Sequence, residues 1–241
     1  LAGTQIRWKL GLTSVIASGP RPGHKKGEGR DDGWPGEARS VQKAIEVLMN
    51  EHRLIEQVLG SLETFAAEVQ GGLAPERPLL ADYGMFFRDF ADACHHGKEE
   101  DILFQRMVER GFSQDSGPVA VMLYEHKVGR GHVSALRQVG DGTGPLAAME
   151  TQLVLENAGG FIPLLRAHIQ KEDRILYPMA VRLLTGPEMD AMETEFEALE
   201  ARMRADGSYD RLHGLADRLT AAFRPDPARM AAAAQMVGCG G

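Results

Sequence analysis

The stretch His168-Ile-Gln-Lys-Glu-Asp-Arg-Ile-Leu-Tyr-Pro178 places a histidine four residues before a glutamate, just ahead of an apolar run. Residues four apart project from the same side of a helix, one turn from each other. The apolar residues on this face are Phe161, Leu165, Ile175, Leu176 and Met179. The pattern predicts a helix over about residues 146–184 whose inner stripe carries His168 and Glu172. Gly159-Gly160 and Pro163 are candidate break points in it.

Three other segments also place a histidine on the apolar stripe of a predicted helix. His95-His-Gly-Lys-Glu-Glu-Asp-Ile-Leu-Phe104 has the same spacing of His and Glu, on a helix over about residues 79–109. Asn50-Glu-His-Arg-Leu-Ile-Glu56 places His52 in the apolar stripe of a helix that begins after an N-cap at Ser40. Tyr124-Glu-His-Lys-Val-Gly-Arg130 does the same on a helix over about residues 118–139. Strand-like alternation of useful length is absent from the sequence, so the predicted fold class is all-α.

These polar residues on apolar stripes indicate a metal centre. A single buried histidine needs no metal, because histidine is intermediate in burial. Two carboxylates buried among apolar neighbours cost several kcal/mol each unless positive charge compensates them. Few Lys or Arg residues lie on the same stripes. Imidazole and carboxylate ligands suit iron, manganese or zinc, so we expect a metal ion between the helices.

Together the four segments resemble the hemerythrin family in its bacterial HHE cation-binding form, over about residues 41–184. The resemblance implies an antiparallel up-down four-helix bundle that holds two iron ions, ferrous or ferric, bridged by oxo or hydroxo when oxidised. The ligands carried over from the family are His52, His95, Glu99, His126, His168 and Glu172. The two glutamates would bridge the irons. Such a set exceeds the four ligands of a structural zinc site.

The chain departs from the oxygen-carrying hemerythrins at two positions. Those proteins have a second histidine four residues after the one on the third helix, where this chain has Arg130. Their last carboxylate is an Asp five residues after its histidine, whereas here Glu172 follows His168 by four. The first departure removes a ligand and favours an exchangeable position over oxygen transport. The second resembles the iron-sulfur-repair and cation-binding branches.

Three further residues are additional candidates for the site. His96 could pair with Glu100 instead of His95 with Glu99, but its stripe contains Asp89 and Asp92 and is expected to face solvent. Glu56, four residues after His52, is either a further ligand or a carboxylate at the rim. His132 lies about 120° from His126 on an ideal helix, which favours core packing or support of a ligand over direct ligation.

The flanking segments differ from the predicted bundle. Residues 1–40 carry 7 basic and 4 acidic residues, a net +3, and are rich in Gly and Pro, which predicts a flexible basic arm. Residues 185–241 are predicted to form a helical extension and tail, with a helix that begins at a Thr185 cap. A net charge of −7 argues against nucleic-acid binding. Without a long apolar run or a disulfide framework, a cytoplasmic protein with no membrane span is expected.

The sequence favours a non-haem di-iron protein that binds or reacts with a small oxidant, such as oxygen, peroxide or nitric oxide. If it is an enzyme, it would be a di-iron oxidoreductase. The alternative is a non-catalytic iron or cation store or sensor that signals through a redox or regulatory protein partner. The sequence has no Ser-His-Asp pattern, no phosphate-binding glycine loop and no CxxC pair that would support a different enzyme.

Overall fold

The computed structural model describes residues 37–236, with side chains described for residues 43–232. Between these limits the chain forms helices and no strand, as predicted. The predicted arm lies outside the described residues except for its last four, Glu37–Ser40, which form the first turn of a helix. The N-cap predicted at Ser40 is therefore wrong. Glu37, Ala38 and Arg39 are good helix formers, and the helix includes all three.

Four long helical stretches contain the predicted segments. Helix α1 spans Glu37–Gln70 and α4 spans Gly117–Gly140. Residues 77–109 form one continuous stretch that begins with α2 (Arg77–Phe86) and ends with α3 (Phe104–Glu109). Residues 148–183 form another, from α5 (Ala148–Lys171) to α6 (Tyr177–Leu183). Neither the glycine pair at 159–160 nor Pro163 breaks α5.

Three π-helical segments lie inside the second and fourth stretches, at Phe87–His96, Glu99–Leu103 and Glu172–Leu176. A π turn holds more residues than an α turn, so the side of the helix on which later residues lie is shifted. For this reason the predicted inner positions Ile175 and Met179 are wrong: they are 47% and 36% exposed. Leu176 and Tyr177 are buried in this part of the stretch.

Two apolar clusters lie on either side of the predicted metal ligands. Along α1 the chain passes from Leu48 in one cluster, through His52, to Ile55 in the other. The second stretch runs the opposite way, from Ala91 to Ile102. Helix α4 passes between the clusters in the same direction as α1, and the stretch at 148–183 passes in the same direction as the second stretch. The histidines and glutamates therefore form a polar layer between two apolar ones.

Three more helices follow the four stretches: α7 (Gly186–Ala205), α8 (Ser208–Ala222) and α9 (Pro227–Met236). The predicted cap of α7 is confirmed, because the backbone N–H of Thr185 donates to Glu188 Oε2 at 2.7 Å. Helices α7 and α8 both contact α1. Their apolar residues belong to the same two clusters as the four stretches. Among residues 37–236, no helix is long and apolar enough to cross a membrane.

Candidate metal centre

The six predicted ligands are all buried at one level of the structure, and His96 is buried with them. They form two groups in which one ligand atom from each residue lies within 4.8 Å of the others. One group consists of His52, His95, Glu99 and Glu172. The other consists of His96, Glu99, His126 and His168. The expectation that His96 faces solvent is therefore wrong. The π-helical segment that ends at His96 brings both adjacent histidines, 95 and 96, to the inside.

The imidazole Nε2 atoms converge on the two glutamates. Glu172 lies between the groups, with Oε2 3.3 Å from His52 Nε2 and Oε1 3.1 Å from His168 Nε2. Glu99 Oε2 is 3.5 Å from His126 Nε2 and 3.8 Å from His95 Nε2. Each carboxylate thus contacts histidines of both groups, which is the placement of a shared anionic ligand.

The oxygen atoms of these glutamates show that the residues present fit a cation. Glu99 Oε2 and both carboxylate oxygens of Glu172 are buried and accept no hydrogen bond of good geometry from the described residues. Burying an unpaired carboxylate costs several kcal/mol. The His126 and His168 Nε2 atoms also lie only 3.0 Å apart. Imidazole nitrogen and carboxylate oxygen are the donors that iron, manganese and zinc accept.

A second set of carboxylates fixes the outer nitrogen of every inner histidine. Nδ1 of His52 is 2.7 Å from Asp173, and Nδ1 of His95 is 2.9 Å from Glu51. The remaining three pairs are His96 with Asp92 at 3.2 Å, His126 with Glu100 at 2.6 Å and His168 with Glu125 at 3.0 Å. A carboxylate at Nδ1 holds the proton there and leaves the lone pair on Nε2, where a metal would bind.

Each of these outer carboxylates is in turn paired with a cation. Lys98 bonds to Glu51 at 2.5 Å, and Lys171 bonds to Glu125. The guanidinium group of Arg130 bonds to Asp92 at 2.7 Å and to Glu100 at 2.8 Å. Arg53 pairs with Asp173 in the same way. Arg130 therefore supports the carboxylates that hold His96 and His126.

Burial keeps two of the histidines neutral. Burial and the nearby His52 lower the pKa of His95 to about 3. Burial and the nearby His126 likewise lower the pKa of His96 to about 3. A neutral imidazole has a free lone pair, so both residues are ready to bind a cation at neutral pH.

His168 and Glu99 hold protons that a cation would replace. Burial alone would lower the pKa of His168, but Glu172 and Glu125 raise it to about 9. Burial and the charge of Glu172 raise the pKa of Glu99 well above its usual range. The surrounding histidines, His168 first among them, hold the pKa of Glu172 well below its usual range despite its burial. Cation binding at this site should therefore release protons.

The structure adds Tyr177 and Lys98 to the residues found from the sequence. The Tyr177 hydroxyl donates to Glu99 Oε1 at 2.6 Å and lies 3.3 Å from His52 Nε2. The Lys98 side chain is fully buried and bonds to Glu51 and, at 2.7 Å, to Glu200 of α7. Four of the five outer carboxylates could have been recognised in the sequence, because residues 51, 100, 125 and 173 are each next to an inner ligand in the chain.

Two of the additional candidates lie apart from both groups. Glu56 is half-buried at the edge, where it bonds to Arg53 at 2.8 Å. His132 bonds to Asn157 at 3.1 Å, and its ring would be 2.6 Å from a Cβ atom at Gly160, so it packs between α4 and α5. Cys94 is buried, as expected of a small core residue.

A cavity of about 210 Å³ adjoins His96, His126 and His168. Its inner wall is apolar and includes Phe87 and Phe161, whose ring centroids lie 4.9 Å apart. Its most exposed lining residues are Arg88, Arg130 and Ser134, which places the mouth on that side. The cavity therefore leads from the surface to one of the two groups of ligands.

Comparison with known proteins agrees with this site. The model of the hemerythrin HHE cation binding domain matches residues 43–180. An uncharacterized protein of Mycobacterium tuberculosis (strain ATCC 25618 / H37Rv) is 22% identical over 200 residues, 83% of this chain and 76% of that protein. The iron-sulfur cluster repair protein YtfE of Yersinia pestis (strain Pestoides F) is 38% identical over 91 residues, 36% of this chain and 41% of that protein. No solved structure matches significantly. With a match that covers more than half of its residues, the chain belongs to the hemerythrin HHE cation-binding domain family.

Proposed function

We propose that the protein is a non-haem di-iron protein that binds or reacts with a small oxidant: oxygen, peroxide or nitric oxide. The observation that carries this proposal is the convergence of buried imidazole nitrogens on glutamate oxygens without hydrogen bonds. Seven residues would hold the two ions: His52, His95, His96, Glu99, His126, His168 and Glu172. Glu99 and Glu172 would be shared between them. The similarity to YtfE over 91 residues favours iron over other cations.

We further propose that the four long stretches form an antiparallel up-down four-helix bundle around the site. The support is the alternating direction in which they pass between the two apolar clusters. The contacts point the same way: α1 contacts α5, α5 contacts α4, and α4 contacts α2. In such a bundle the polar layer lies at mid-height, shielded from solvent at both ends.

The chain's own residues prepare the site for this chemistry. Bound iron would supply redox and Lewis-acid chemistry to a small ligand. The five outer carboxylates hold the histidines with Nε2 pointing inward, which reduces the entropy lost on binding the ions. Tyr177 holds a proton at Oε1 of Glu99, inside the buried layer. The cavity beside His126 and His168 gives a small molecule a route to the site.

The position of Arg130 bears on the type of reaction. Where the oxygen-carrying hemerythrins have a second histidine on the third helix, this chain has Arg130, and His96 of the neighbouring stretch lies near His126 instead. The cavity gives a small oxidant a route from the surface to His96, His126 and His168, and gives its product a route out. On this ground we favour turnover of an oxidant over reversible oxygen storage.

Metal analysis tests the proposal directly. Protein purified with and without air should contain two irons per chain, and its optical spectrum should show an oxo-bridge absorption only after exposure to air. Glu172→Ala and Glu99→Ala should each lose much of the iron, because each removes a shared anionic ligand. The matched control is Glu56→Ala, which removes a half-buried carboxylate beside the site and should keep the iron. Two irons retained in both inner variants would contradict the assignment.

One observation favours the second candidate function, a metal sensor that acts through a partner. The ammonium group of Lys98 connects Glu51, which holds His95, to Glu200 of α7, outside the part matched by the family. Through this link, metal at the site could alter the packing of α7. Hydrogen exchange of α7 with and without metal tests this, with α8 as the internal control. If α7 exchanges at the same rate with and without metal, the sensor function is contradicted and the oxidant-binding function remains.

A further inference from the structure

We propose that the cavity beside His96, His126 and His168 is a binding site for a small organic monocarboxylate, whose carboxylate pairs with Arg137 and whose apolar body lies against Phe87 and Phe161. This site goes beyond the proposed oxidant chemistry, and the metal is not required for it. The proposal rests on the size of the cavity, its walls and the state of its charged residues.

The size and walls of the cavity fit an organic group. A diatomic molecule would fill only a small part of about 210 Å³. An apolar protein cavity of about 150 Å³ is enough to bind benzene. The deepest lining residues other than histidine are apolar, including Ala91, Val133 and Leu165. The cavity can therefore hold a single ring or a short branched chain with a polar group directed towards the mouth.

The charged residues around the cavity leave one cation without a partner. Arg88 bonds to Asp89, and Arg130 bonds to Asp92 and Glu100. Among the described residues, the guanidinium group of Arg137 makes no hydrogen bond or ion pair, although its side chain is half-buried in the cavity wall. A guanidinium group that no protein group engages can bind an incoming carboxylate through two parallel hydrogen bonds.

The negative groups that line the cavity do not compete for Arg137. Asp92 bonds to His96 and Arg130, and Glu125 bonds to His168 and Lys171. Both carboxylates are therefore neutralised by other partners. An incoming carboxylate would meet a cation and no unpaired anion at this wall.

Gly84 leaves room for the Arg137 stem to pack against α2. A Cβ atom at Gly84 would lie 2.1 Å from Arg137 Cγ, so only glycine lets the stem lie this close to α2. The stem is thus fixed along the helix while the guanidinium group is free of protein partners. This is the arrangement of a preorganised anion-binding group.

Calorimetric titration of benzoate into metal-free and metal-loaded protein tests the proposal. We expect binding in both forms. Arg137→Met should weaken it by about tenfold or more, because a hydrogen bond to a charged group is lost. Arg88→Met is the matched control: it removes an arginine at the same mouth that already has a partner, and it should leave affinity within about twofold. Val133→Phe should prevent binding of benzoate and of its neutral analogue toluene by filling the cavity.

Several results would overturn the proposal. One is failure of both benzoate and isovalerate to bind wild-type protein at millimolar concentration. A second is equal loss of benzoate affinity in the Arg137 and Arg88 variants. A third is binding to the metal-loaded protein alone, unaffected by Arg137→Met, which would place the carboxylate on the metal. Toluene should bind wild type and Arg137→Met equally, and this shows that the variant keeps its cavity.

Discussion

Replacement of Tyr177 by phenylalanine should destabilise the metal-free protein more than the metal-loaded protein. The hydroxyl that is lost donates a 2.6 Å hydrogen bond to Glu99 Oε1, and both side chains are fully buried. The other oxygen of Glu99 already accepts no hydrogen bond from the described residues. The variant therefore leaves a buried carboxyl group with neither oxygen bonded, and bound cations would compensate for that.

The magnitude follows from the kind of bond. Removal of a hydroxyl that leaves a buried carboxyl oxygen without a hydrogen bond costs about 2 kcal/mol in free energy of unfolding. For a domain of this length, about 2–4 °C is lost per kcal/mol, so the melting temperature of the metal-free protein should fall by about 4–8 °C. With metal bound, we expect a smaller fall.

Thermal and denaturant unfolding of both forms provide the assay, with Tyr83→Phe as the control. Tyr83 is equally buried, and its hydroxyl lies 2.7 Å from Ser61 Oγ, a neutral partner outside the polar layer. Its removal should cost about 1 kcal/mol whether or not metal is present. The reasoning is refuted if Tyr177→Phe leaves the metal-free protein as stable as wild type, or if its cost is the same in both forms.

Three other changes have definite expected outcomes. In a denaturant titration, Lys98→Met should lower the free energy of unfolding by about 3–5 kcal/mol, because it leaves the carboxylates of Glu51 and Glu200 without their buried cation. The control Arg204→Met removes an exposed partner of Glu200 and should cost under about 1 kcal/mol. Metal affinity should rise with pH up to the His168 pKa of about 9, because below that pH a proton on His168 must leave before metal binds. Calorimetry in two buffers should detect the released protons. An affinity that does not change with pH would contradict this. A chain that begins at Glu37 should fold and bind the same metal by elemental analysis; an unfolded or metal-free product would show that the preceding residues are needed.

Much of the site could be predicted from helical periodicity because its ligands lie on amphipathic stripes. His52, His126 and His168 fall on regular α-helical faces, and the structure brings all three inside. At about 100° for each residue, helical periodicity places His96 on a solvent-facing stripe. The π-helical segment that ends at His96 changes that angle, and neither its presence nor its position has a recognised signal in a single sequence.

The partners of the ligands could not be predicted because they depend on how helices pair. Glu51 is next to His52 in the chain, yet it bonds to His95 of another stretch. Tyr177 follows the third π-helical segment, so its inward position depends on the same shift that exposes Ile175. The short helix α9 is rich in alanine and has no apolar stripe. Its contact with α1 depends instead on Gly60, where a Cβ atom would lie 3.3 Å from the sulfur atom of Met230.

Four of the outer carboxylates each bond to a histidine of another stretch, so the centre is complete only when all four stretches have assembled. Glu51 of α1 orients His95 of the second stretch, Glu100 there orients His126 of α4, Glu125 of α4 orients His168, and Asp173 of the fourth stretch orients His52 of α1. The four bonds form a closed cycle that visits every stretch once. No fragment of two or three stretches can complete the cycle, so tight metal uptake should appear in one cooperative step. A chain cut between α4 and α5 should regain metal only when its two fragments reassociate.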